Sequence, residues 1–109
     1  MTTEQEKLIN MIYKMFSKKY SEYITLQDIQ DIAEINEIYN YNFLMAKSYE
    51  FIDTNFTTAS KIKDSDIEKD FKDLLQRAKY YMGLYNDEIN KKKEETGFLF
   101  FNYTNTHIN

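Results

Sequence analysis

The chain contains no proline and only two glycines in 109 residues. These residues make most tight turns, so few reversals of direction are available along this chain. Compact all-β domains need many such turns and are excluded on that ground. Long helices joined by a few polar connectors are the architecture that remains.

A length of 109 residues fits one hydrophobic core, so residues 1–109 read as a single domain. The apolar fraction of 42% is enough to fill that core, and eight Phe and ten Tyr supply much of it. Tyrosine buries a ring but wants a partner for its hydroxyl, which places many of these rings at core edges or interfaces.

Hydrophobic periodicity divides the chain. Thr3-Glu4-Gln5-Glu6 has capping-box spacing, and Leu8, Ile12, Met15 and Phe16 follow at helical intervals, predicting a helix over 4–20. Thr25, with Asp28 three residues on, predicts a second N-cap, and Ile24 precedes it as a hydrophobic staple. From Leu26 the apolar spacing continues to residue 54. A continuous helix over 26–54 is expected, with a break near Asn36 or Asn40–Asn42 as the alternative. Residues 54–64 read as a loop, and Ser65-Asp66-Ile67-Glu68 as the capping box of a helix over 66–94. Gly83 inside that helix suggests close approach of a neighbour, and Gly97 suggests a C-cap. The expected fold is all-α: an antiparallel bundle of three helices, or four if the second breaks, with the aromatic C-terminal segment 97–109 docked on it. The expected core holds Leu8, Ile12, Met15, Phe16, Ile29, Ile32, Phe43, Ala46, Ile52, Phe71, Leu74, Leu75, Ala78, Met82 and Tyr85.

Composition narrows the function. With no cysteine and a single histidine, His107, thiolate chemistry is absent and histidine-based catalysis or metal binding lacks its usual groups. No glycine-rich phosphate loop occurs. The chain reads as a non-enzyme with no cofactor and no metal. It carries no membrane-length apolar run and an acidic, polar N-terminus, features expected of a cytoplasmic protein. Its Asn-, Lys-, Ile- and Tyr-rich composition suggests AT-rich coding DNA, as in a low-GC bacterium, its phage or a plasmid.

The net charge of −4 disfavours nucleic acid, whose binders present basic faces. A protein partner is the leading expectation, bound by Phe98, Phe100, Phe101 and Tyr103 of the tail, by Tyr39 and Tyr41, and by an acidic face of Asp28, Asp31 and Glu34. The function expected is that of an accessory or inhibitor that occludes a partner's surface. In size and helical make-up the chain is similar to small bacteriocin-immunity bundles and phage-encoded anti-defence proteins, a likeness of format with no shared motif. Two alternatives stand beside it. Residues 25–47 have helix-turn-helix spacing and suggest a DNA-binding regulator, although the second helix carries only Lys47 and no Arg. A small structural homo-oligomer, such as a homodimer exchanging tails, is the third.

Overall fold

A computed structural model of the chain describes residues 1–59 and 73–108, with side chains described over 1–57 and 73–92. It contains α1 (Thr3–Tyr20), α2 (Leu26–Asn36), α3 (Tyr41–Ala59) and α4 (Leu74–Ile108). The fold is all-α, with no strand among the described residues.

Local chemistry sets the first two helix starts. The cap of α1 is Thr2, one residue before the expected position. Thr2 Oγ1 accepts from the Gln5 backbone N–H at 3.1 Å, and Gln5 Oε1 accepts from the Thr2 N–H at 2.9 Å. At α2 the expected box forms: Thr25 Oγ1 accepts from the Asp28 N–H at 3.1 Å, and Asp28 Oδ2 accepts from the Thr25 N–H at 2.8 Å. Ile24 and Ile29 flank it at the staple positions, both buried.

The helix expected over 26–54 breaks. Glu37 takes the left-handed conformation at φ 55°, ψ 35°. Its N–H reaches Glu34 O at 3.3 Å, and the Ile38 N–H reaches Ala33 O at 3.2 Å. This is the paired pattern of a Schellman stop, here closed by a glutamate where glycine is usual. Asn40 then caps α3: its Oδ1 accepts from the Phe43 N–H at 3.1 Å and its carbonyl from the Leu44 N–H at 2.9 Å. The two readings of this region thus resolve in favour of the break, because two sets of local hydrogen bonds outcompete helix continuation between residues 36 and 41.

α3 is the centre of the molecule. Phe43, Leu44, Met45 and Ala46 are buried in succession, which at about 100° per residue covers nearly the whole circumference of a helix. Between residues 38 and 53 no residue is exposed. Around α3 pack Ile9, Ile12 and Phe16 of α1, Ile29 and Ala33 of α2, and Leu74 and Ala78 of α4. α4 runs antiparallel to α3, since Arg77 lies beside Tyr49, Tyr85 beside Phe43, and Glu88 beside Asn40. Asn55 Nδ2 donates to the Tyr23 carbonyl at 2.8 Å and ties the α1–α2 connector to α3.

Several sequence expectations change. Met15 and Leu75, placed in the core, are 46% and 50% exposed. The burying stripe of α1 is Ile9, Ile12, Phe16 and Tyr20, rotated by about 60° from the predicted Leu8–Ile12–Met15–Phe16 stripe. Gly83 faces open space, with nothing within 4 Å of where a Cβ would sit, so it admits no close neighbour. α3 continues five residues beyond 54, to Ala59. α4 continues past 94 through Gly97, which is therefore no C-cap, to Ile108. Phe71 and the Ser65–Glu68 box lie outside the described residues. Among the described residues no helix is long and apolar enough to cross a membrane.

Candidate partner-binding surfaces

The residues singled out from sequence fall into three groups. Tyr39 and Tyr41 are half-buried. Tyr41 packs edge-on against Tyr81 at 6.2 Å, and its hydroxyl donates to Met15 Sδ at 3.8 Å. Both tyrosines pack one side against the core cluster. Asp28 serves the α2 cap, Asp31 accepts from Gln27 Nε2 at 2.9 Å, and Glu34 is exposed. Phe98, Phe100, Phe101 and Tyr103 lie on the backbone of α4, and their side chains are outside the described residues. Among the described side chains, no hydrogen bond or ring contact joins the two tyrosines to the acids of α2.

The exposed apolar surface lies elsewhere. On α1, Met11 and Met15 are each 46% exposed. They sit with Lys7, Asn10, Lys14 and Lys18 along an open hollow of about 710 Å³. At about 100° per residue, Lys7, Met11, Lys14 and Lys18 fall within about 60° of arc, diametrically opposite Ile9, Ile12 and Phe16. This is an outward stripe with a soft thioether centre and ammonium groups around it. Methionine stripes of this kind adapt to varied apolar partners, and the lysine stems extend the apolar area while holding their charges in water. Met15 is an inward position of the expected stripe, and Met11 has no place in it. The signal that could have found the stripe is the lysine spacing at 7, 14 and 18, which marks the wet side of the helix.

α2 presents a stripe of opposite sign. Ile35, 82% exposed, is the most exposed large hydrophobic residue among those described. Asp28, Asp31 and Glu34 surround it on the side of α2 facing away from Ile29 and Ala33.

A third region joins α3 to α4. Tyr49 and Tyr81 stack at 5.9 Å with an interplanar angle of 16°, Phe16 meets Tyr49 edge-on at 4.8 Å, and Tyr80 stands edge-on to Tyr81 at 5.3 Å. The Arg77 guanidinium lies over the Tyr49 ring at 5.9 Å. Hydrogen bonding with the Tyr49 side chain is the main cause of its raised pKa, against a smaller opposing effect of burial. The hollow here, about 460 Å³, is bounded by Asp73, Gln76, Arg77 and Tyr80. The ring contacts form a seam between the two helices, with Tyr80 64% exposed at its outer edge.

The helix-turn-helix spacing of residues 25–47 does appear as α2, a four-residue turn and α3. A recognition helix needs a free face to enter a groove. α3 is largely covered between residues 38 and 53, and its partly exposed Lys47 is paired with Glu50 at 3.4 Å. No set of three or more metal-ligating side chains converges among the described residues. Comparison with protein-family models, curated proteins and solved structures finds no match to this chain.

Proposed function

We propose that the protein is a small helical binding module that docks on another protein through the outward face of α1 and occludes the surface it covers. The observation that carries this reading is the exposed Met11, set among Lys7, Lys14 and Lys18 on the side of α1 opposite the core, with the half-exposed Met15 on the flank of the same stripe. The partner that fits is a protein with an apolar patch rimmed by carboxylates. Burial of the thioethers supplies affinity, and the lysines supply orientation and steering. Helix α1 is 18 residues long, about 27 Å, enough to cover the mouth of a partner's cleft.

The test is affinity capture from the native host with wild-type protein, with the double variant Met11→Asp/Met15→Asp and with the control Lys79→Ala on α4. The expected result is a partner retained by wild type and control and lost by the double variant. Capture that survives the double variant overturns the reading, as does binding that follows duplex DNA or anionic vesicles in place of a protein.

A further inference from the structure

The two outward stripes of α1 and α2 are complementary to each other. One has Met11 and Met15 bordered by Lys7, Lys14 and Lys18; the other has Ile35 bordered by Asp28, Asp31 and Glu34. The α2 stripe fits within the α1 stripe: Lys7 to Lys18 spans about 16 Å and Asp28 to Ile35 about 10 Å of helix axis. Within one molecule they do not meet, since each points away from the core that its helix helps to build. Among the described residues these charges find no ionic partner, and the one ion pair there is Lys47–Glu50.

We propose that a second copy of this chain is an occupant of the α1 face, its α2 stripe lying across Met11 and Met15, in a reciprocal and salt-sensitive pair. This rests on the reading of α1 as a docking surface and names one protein that fits it. The attraction is between exposed groups, so it weakens as the ionic strength rises and screening shortens. Self-pairing also covers the face offered to other partners, so an acidic-rimmed partner competes with the homodimer and releases it.

Sedimentation velocity on the full chain tests this over a range of concentrations, at low and high salt. Wild type is expected to move from one to two copies as concentration rises at low salt, with about tenfold weaker pairing at about 0.5 M salt. The swaps Lys14→Glu/Lys18→Glu and Asp31→Lys/Glu34→Lys should each leave single copies. Mixed in equal amounts, the two swapped proteins should pair again, because opposite stripes then meet at both contacts. The milder Ile35→Ser should weaken pairing while leaving the circular dichroism spectrum unchanged. Wild type that stays a single copy at every concentration overturns the inference, and so do swapped variants that pair by themselves or fail to pair when mixed. A monomeric wild type whose captured partner still depends on Met11 and Met15 sinks this inference alone. A salt-sensitive dimer whose partner capture ignores those residues sinks the broader reading alone.

Discussion

Glu37 and Gly83 hold each other's preferred environments. Glu37 sits at φ 55°, where a side chain beyond glycine crowds the following carbonyl. Gly83 sits within α4 with open space around its missing Cβ, where any side chain fits and glycine's backbone freedom is a cost. Glu37→Gly should therefore stabilise the fold by up to about 1 kcal/mol, the relief of left-handed strain less glycine's greater unfolded entropy. Gly83→Ala should stabilise by about 0.5–1 kcal/mol. Both are read as a higher urea midpoint at unchanged slope. Glu37 was hard to read from sequence because its conformation runs against its residue type, and the hydrogen bonds at Ala33 and Glu34 overrule that preference.

At the scale of elements, Asn40 has a double duty. Its Oδ1 caps α3, while its Nδ2 donates to Glu88 of α4 at 2.8 Å, and Asn42 donates to the other oxygen of the same carboxylate. Asn40→Ala should cost about 1–2 kcal/mol, the loss of a cap joined to the loss of a bond to a charged group. Asn40→Asp keeps the cap but sets two carboxylates together, and should recover only part of the loss at neutral pH. Thermal or urea unfolding of the two variants separates the contributions. The caps at Thr2 and Thr25 were legible, within a residue, because both partners lie three positions apart in the chain. The pairing with Glu88 was not, because its partners stand 46 and 48 residues away. The face of α1 was misread for a related reason. Leu8, Met11 and Met15 satisfy helical spacing as well as Ile9 does, and only the position of α3 decides which stripe turns inward.

At the scale of the whole molecule, the all-α class followed from the scarcity of turn formers, whereas the centrality of α3 depended on how the four described helices meet. The seam between α3 and α4 gives the fold a sensitivity to alkali. Burial, followed by the nearby Tyr41 and Tyr49 side chains, raises the Tyr81 pKa above the ordinary tyrosine value. The folded state therefore favours the neutral phenol. Its contribution is complete below the unfolded pKa of about 10 and is lost as pH climbs from there through the folded value. Wild type should lose more stability than Tyr81→Phe between about pH 9 and 11, read as the difference between their urea midpoints at each pH. Equal losses would remove Tyr81 from the cause. The exposed apolar stripes were the least legible part, since exposure of Met11, Met15 and Ile35 is a property of the assembled bundle and of no local pattern.

With α3 enclosed by its neighbours, the burden of holding the shape falls on residues that no visitor touches. On the proposed reading, sequence drift on the outer skins of α1 and α2 retunes what the molecule adheres to without disturbing its framework. A lineage of such proteins would then keep its hidden axle nearly constant while its outer stripes are free to diverge.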